Sequence, residues 1–233
     1  MSAIELLAFI LRQSVIFLIP VPILLKMSPV KNIIFDLGGV ILDIDYGVFA
    51  RSFTALGAED FDGRYSQYKQ HPLFDAFEMG LVNPDDFRPQ MERLLNFRAT
   101  PEAFDKAWNS IILNFIPERI ELIKQLRQHK KVFLLSNTNL LHQWAYEALF
   151  VEQIGEPDFA ALFDKAYYSH QIGMRKPNAN VFEFVLKQNN LLAEETLFID
   201  DTSIHTDTAA SLGIQTIHLQ KPQTILDIDW GKI

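Results

Sequence analysis

Hydrophobic positions along the 233-residue chain fall into two alternating patterns. Short, nearly unbroken apolar runs occur at Asn32-Ile33-Ile34-Phe35, Val132-Phe133-Leu134-Leu135, Thr196-Leu197-Phe198-Ile199 and Gln215-Thr216-Ile217-His218-Leu219. Their length and their polar or glycine boundaries predict buried strands. Between them the apolar spacing changes to three and four residues. Pro117 to Gln128 carries Ile120, Ile123 and Leu126 on one helical stripe, and Leu140 to Phe150 and Asn178 to Gln188 read as crossover helices. This alternation predicts an α/β fold with a doubly wound, mostly parallel sheet.

One stretch breaks the pattern. From residue 47 to about 115 the strand signals give way to helical ones. Thr100-Pro101-Glu102 is an N-cap followed by proline, and Phe104, Ala107, Trp108, Ile111 and Ile112 then share a face. Asn83-Pro84-Asp85-Asp86 makes a similar start, with Pro89 expected to bend or interrupt a helix that reaches Leu94 and Leu95. The expected organisation is a core from 31–46 and 116–233, a small α-helical cap at 47–115, and an N-terminal hydrophobic extension at 1–30.

That extension contains an apolar run from Val15 to Leu25, broken only by Pro20 and Pro22. It is short for a bilayer span. Arg12 is the only basic residue before it and no small-residue cleavage site follows, which argues against a signal peptide. Met27 stands just before the first strand. Three readings remain open: a start site placed too far upstream, a surface-packed helix, or a weak membrane anchor. The expected location is cytoplasmic, with membrane association as the minor alternative.

Composition narrows the chemistry. Lys plus Arg number 21 against 29 Asp plus Glu, a formal charge of -8, and no basic run is interleaved with aromatics. Nucleic acid is therefore a poor partner. The absence of cysteine excludes a disulfide, a thiolate nucleophile and a Cys-based zinc site. The sequence leaves the oligomeric state open.

The strand ends concentrate the candidate chemistry. The first strand runs into Asp36-Leu37-Gly38-Gly39, an aspartate at the sheet edge where open parallel sheets bind ligands, followed by a glycine turn. The second ends in Ser136-Asn137-Thr138-Asn139, hydroxyls and amides suited to holding phosphate oxygens at a helix start. Gly173-Met174-Arg175-Lys176-Pro177 places Lys176 beside a proline expected in the first turn of a helix. The third strand ends in Asp200-Asp201, adjacent carboxylates that repel unless a cation or proton lies between them. Magnesium suits such an oxygen-rich site.

Asp, Ser, Lys and Asp-Asp at successive strand ends, spanning about Lys31 to Gln220, resemble the haloacid dehalogenase superfamily of phosphohydrolases. The wording Phe-Asp-Leu-Gly-Gly-Val, Ser-Asn-Thr-Asn and Gly-Met-Arg-Lys-Pro is especially similar to bacterial sugar-phosphate phosphatases of the α-D-glucose-1-phosphate type. A looser likeness is to the phosphatase domain of soluble epoxide hydrolases. The resemblance implies a Rossmann-like core and Asp36 as nucleophile, forming an aspartyl-phosphate that water hydrolyses. It also implies Mg2+ held by Asp36, the Gly38 carbonyl, Asp201 and Asp200, and phosphoryl oxygens held by Ser136, the Asn137 backbone and Lys176. The substrate implied is a small phosphorylated metabolite such as a hexose 1-phosphate.

The chain departs from the superfamily pattern at Gly38, where an acid/base aspartate usually stands. Loss of that acid favours substrates with an acidic leaving group, such as anomeric sugar phosphates. Asp43 and Asp45 are nearby substitutes, with turn and strand-edge roles as the plainer reading. His205, where relatives often carry asparagine, reads as structural. In the cap, His71, Asp75, Glu78, Phe74 and Phe77 suggest a sugar surface, against the plainer reading that the phenylalanines pack the cap. Trp108 and Trp144 read as packing residues and Asn109 as a substrate contact. A haloacid hydrolase would not need the Asp200-Asp201 pair. A phosphonate hydrolase would need a desolvated cap lysine, Lys69 or Lys106, and a phosphoglucomutase would need the missing acid. The alternative from another class is a non-catalytic phosphate-binding regulatory module.

Overall fold

The computed structural model describes residues 28–59 and 71–233. The N-terminal apolar run and Lys69 lie outside the described residues. In chain order the elements are β1 (Asn32–Phe35), β2 (Leu42–Ile44), α1 (Tyr46–Ala55), α2 (Pro72–Glu78), α3 (Pro84–Leu94) and α4 (Pro101–Trp108). There follow β3 (Ile112–Phe115), α5 (Pro117–Arg127), β4 (Lys131–Ser136), α6 (Leu140–Ile154), β5 (Lys165–Tyr168) and α7 (Ser169–Ile172). The chain closes with α8 (Ala179–Asn189), β6 (Thr196–Asp200), α9 (Ser203–Ser211) and β7 (Gln215–His218).

Five strands form a parallel sheet in the order β5-β4-β1-β6-β7. Every residue of β1 is buried, because the sheet is covered on both faces and a covered strand has no polar side. Its residues alternate between two cores. Ile33 and Phe35 pack with Leu134, Ile199, Ile120 and Ile123, whereas Ile34 packs with Phe133, Phe198, Val181, Phe182 and Val185. The strand order reverses around β1, so β1 and its neighbours end at the crevice where such sheets bind ligands.

The helices α1 to α4 are inserted between two strands that sequence periodicity did not indicate. β2 and β3 pair antiparallel, with Leu42 opposite Phe115 and Ile44 opposite Ile112. Ile111 and Ile112 thus belong to a 3-10 turn and a strand, and α4 ends at Trp108. The insertion has its own apolar cluster, including Phe49, Phe53, Phe74, Phe77, Phe87, Phe104 and Trp108. Phe74 and Phe77 therefore take the packing role.

α3 continues through Pro89 without interruption. Phe87 and Met91 bury one face of this helix, and Arg88 binds Asp105 of α4 at 2.8 Å, which holds the helix together despite the missing N–H. Trp144 does not pack as expected: its side chain is 55% exposed on α6. No helix among the described residues is long and apolar enough to cross a membrane.

Candidate active site

Asp36 sits one residue past β1, its N–H donating to the Ile199 carbonyl at 2.9 Å and so continuing the ladder to β6. The chain then turns sharply. Ile41 and Leu42 both donate to the Leu37 carbonyl, and the Gly39 N–H donates to the Leu42 carbonyl at 2.8 Å. Gly39 has φ +75°, and a Cβ there would lie 2.3 Å from Asp201 Oδ2. Glycine is required twice over, for the backbone angle and for the close approach of the Asp201 carboxylate.

Lys176 is fully buried between the two strand ends. Its Nζ donates to Asp36 Oδ1 at 2.6 Å and to Asp200 Oδ2 at 2.7 Å, and lies 5.4 Å from the centre of the Phe198 ring. Against its own burial, the two carboxylates raise the lysine pKa and keep it charged. The Asn137 amide fixes its backbone from both sides, accepting from Lys176 N at 2.9 Å and donating to Lys176 O at 2.8 Å. Pro177 is not in the first helical turn: α8 begins at Ala179 with Asn178 as N-cap, and the Asn137 clamp holds Lys176 instead. The Asn137 side chain is thus committed to positioning.

Asp200 is also fully buried and uses both oxygens. Oδ1 accepts from Thr202 N at 2.8 Å, and His205 Nδ1 lies 3.0 and 3.1 Å from the two oxygens. His205 is therefore a positioning group for Asp200. Against the burial of Asp200, Lys176 and His205 hold its pKa down at about 2. Burial, with the charges of Asp200 and Asp201 against that of Lys176, pushes Asp36 up to about 8. Burial and then Asp200 raise Asp201 as well. Each of the three carboxylates offers an oxygen within 4.8 Å of the other two. One lysine does not balance three carboxylates, and this all-oxygen donor set fits a small divalent cation.

The same crevice is lined by Gly38, Ser136, Asn137 and Thr138 beside Asp36, Lys176 and Asp201. Of the residues assigned from the sequence to catalysis, phosphate and metal, all but Asp200 line it, and Asp200 is reached through its ion pair with Lys176. The Ser136 hydroxyl has no hydrogen-bond partner among the described residues. Ser169 locks the adjoining Thr138 backbone, accepting from its N–H and donating to its carbonyl, both at 2.9 Å. Only backbone is available at Gly38, and a Cβ there would come 3.1 Å from Ile44 Cδ1.

The proposed acid substitutes are engaged elsewhere. Asp43 binds Arg119 at 2.7 Å, and Asp45 caps α1 by accepting from Gly47 N and Val48 N. His71 caps α2. Lys106 is exposed on α4, away from any desolvating pocket. Asn109 holds His142 Nδ1 at 3.0 Å and does not line the crevice.

Two lining residues, Arg175 and His142, were given no role in the sequence analysis. Arg175 reaches from the core to Asp75 Oδ1 and Glu78 Oε2 of α2, both at 2.7 Å, and Glu78 also faces the crevice. His142, three residues after the Asn139 that caps α6, lines the crevice too. The signal for His142 was its place in the first helical turn after the Ser-Asn-Thr-Asn run. For the Arg175 pairing no local signal exists.

The haloacid dehalogenase-like hydrolase pattern matches residues 33–219, most of the chain and all of these strand ends. The chain belongs to that family. It is 36% identical over 190 residues to D-ribitol-5-phosphate phosphatase of Bacteroides thetaiotaomicron, covering 80% of this chain and 90% of that one. Among solved structures it is similar to a haloacid dehalogenase family enzyme of the same bacterium, an aspartate-to-alanine mutant in complex with magnesium and inorganic phosphate. That match has a TM-score of 0.77 at 28% identity, over 87% of this chain and 98% of the other. A predicted HAD-like family hydrolase from Porphyromonas gingivalis matches with a TM-score of 0.76 at 31% identity, over 84% and 94%. As a family member the chain is a hydrolase with the Rossmann-like core that the resemblance implied, built on the doubly wound parallel sheet that the strand and helix alternation predicted.

Proposed function

We propose that this haloacid dehalogenase-like hydrolase is a magnesium-dependent phosphatase of a small phosphorylated sugar or polyol. The observation that carries the reading is the meeting of Asp36, Asp200 and Asp201 around buried Lys176. A phosphate monoester is anionic, so a carboxylate nucleophile reaches it only where fixed positive charge offsets the repulsion. Asp36 attacks phosphorus, the ester oxygen leaves with the bonding pair and is protonated, and water then releases phosphate from the aspartyl-phosphate.

Lys176 orients Asp36 and faces the phosphoryl oxygens, with the Ser136 hydroxyl and the Asn137 backbone as further donors. Asp36, Asp201 and the Gly38 carbonyl are the residues for magnesium, which supplies charge to the transferring group. Asp200, with both oxygens in use, positions Lys176. The insertion acts as a cap that shields the crevice from water.

The alcohol is either a hexose 1-phosphate, favoured by the missing side-chain acid at Gly38, or a pentitol 5-phosphate, favoured by the relative from Bacteroides. One experiment tests both. Phosphate release is measured from glucose 1-phosphate, ribitol 5-phosphate, glucose 6-phosphate and an alkyl phosphate, with magnesium and with chelator, beside Asp36→Asn. Magnesium-dependent release abolished in Asp36→Asn is expected. No release from any member would leave the phosphate-binding module as the better reading.

A further inference from the structure

We infer that His142 reads a hydroxyl on the alcohol portion of the substrate, accepting a hydrogen bond at Nε2. The inference deepens the phosphatase reading above and rests on it for the nature of the ligand.

The imidazole is held in place from several sides. Nδ1 faces Asn109 Oδ1 at 3.0 Å, which fixes the proton on Nδ1 and leaves a lone pair on Nε2. The ring stacks on Trp108, with centroids 5.1 Å apart and planes 9° apart. Asn139 Oδ1 accepts from both Trp108 Nε1 and His142 N, each at 3.1 Å, so one side chain sets the indole and the start of the helix that carries the histidine. His142 lines the crevice that holds Asp36 and Lys176, and Nε2 has no partner among the described residues.

Burial pushes the imidazole pKa down to about 3, so the ring is neutral in ordinary buffers. A neutral acceptor offers nothing to a phosphate dianion, whose oxygens are themselves acceptors. It suits a hydroxyl donor. The division of labour is then by charge: Lys176 meets the phosphoryl group and His142 meets the alcohol. A site built to pair a hydroxyl discriminates strongly against an analogue that lacks it, because the paired group is left empty. The substrate class is therefore a phosphate ester with free hydroxyls along its carbon chain.

The test compares ribitol 5-phosphate with pentyl phosphate, which has the same chain length and no hydroxyls. His142→Phe keeps the stack on Trp108 and removes the acceptor; His142→Gln keeps an acceptor. The ratio of kcat/KM for the polyol ester over the alkyl ester should fall about 10- to 100-fold in His142→Phe and recover in part in His142→Gln. The same two ligands, titrated calorimetrically into Asp36→Asn and into its double variants, should give a parallel rise in the ratio of the polyol Kd to the alkyl Kd. Unchanged ratios in a His142→Phe protein of normal circular dichroism overturn the inference, as does failure of the polyol ester to bind. If the parent hydrolyses neither ester while the polyol-to-alkyl Kd ratio still rises, the phosphatase reading fails and the role of His142 stands.

Discussion

The two glycines after Asp36 serve different ends, and substitution at each has a different expected result. At Gly39 a methyl group meets the Asp201 carboxylate at 2.3 Å on a backbone at φ +75°. Gly39→Ala should fold with a loss of roughly 1 kcal/mol, the usual cost of left-handed backbone. It should also displace Asp201 and raise the magnesium concentration for half-maximal phosphate release about tenfold or more, by the loss of one well-placed ligand. An unshifted magnesium curve would remove Asp201 from the metal site. At Gly38 the obstacle is only the end of the Ile44 side chain, 3.1 Å from a built Cβ. Gly38→Asp should therefore be accommodated by rotation of Ile44. If the missing acid governs substrate choice, it should raise turnover of alkyl phosphates relative to glucose 1-phosphate by at least about tenfold. Equal gains on both would show that leaving-group protonation is not what Gly38 changed.

At the scale of elements, the legible parts were those fixed by local pattern. β1, β4 and β6 show as apolar runs because both sheet faces are covered, and their ends carried Asp36, Ser136 and Asp200-Asp201 to one edge. β2 and β3 did not show, because they have three and four residues of mixed burial and their pairing joins positions 42 and 115. Arg175 was illegible for the same reason: its partners lie about a hundred residues away on α2. That pairing joins the insertion to the core next to Lys176, with Arg175 and Glu78 side chains only 16% and 11% exposed. Arg175→Gln removes the guanidinium that pairs Asp75 and Glu78 at the crevice wall. It should cost roughly 3 kcal/mol of stability, as breaking a largely buried pair does, and should raise KM more than it lowers kcat. The double variant Arg175→Gln with Glu78→Gln should regain part of that stability in a denaturant titration. Full additivity of the two changes would mean that the pair is not coupled.

For the molecule as a whole, the charge crowded at the sheet edge ties stability to pH and to magnesium. Asp36 has a pKa of about 8 in the metal-free fold against 3.8 ordinarily, so the folded state holds a proton that the unfolded state has released. Its contribution is complete below pH 3.8 and is lost as pH rises through 8. His142 acts in the opposite sense, since its pKa falls from 6.5 to about 3 and the unfolded chain takes up the proton first. The two slopes oppose one another between about pH 4 and 6.5. Above 6.5 the histidine is neutral in both states and Asp36 is left alone, so the metal-free protein should lose stability steadily between pH 6.5 and 8. A divalent cation held by Asp36 and Asp201 would displace that proton and replace its charge, and a ligand bound only by the folded state stabilises it. The gap in Tm between saturating magnesium and chelator should therefore widen from pH 6.5 to 8, and Asp36→Asn should flatten the metal-free slope. Thermal unfolding of both proteins at three pH values decides the matter: a gap that stays constant across this range would show that Asp36 gives up no proton to the metal.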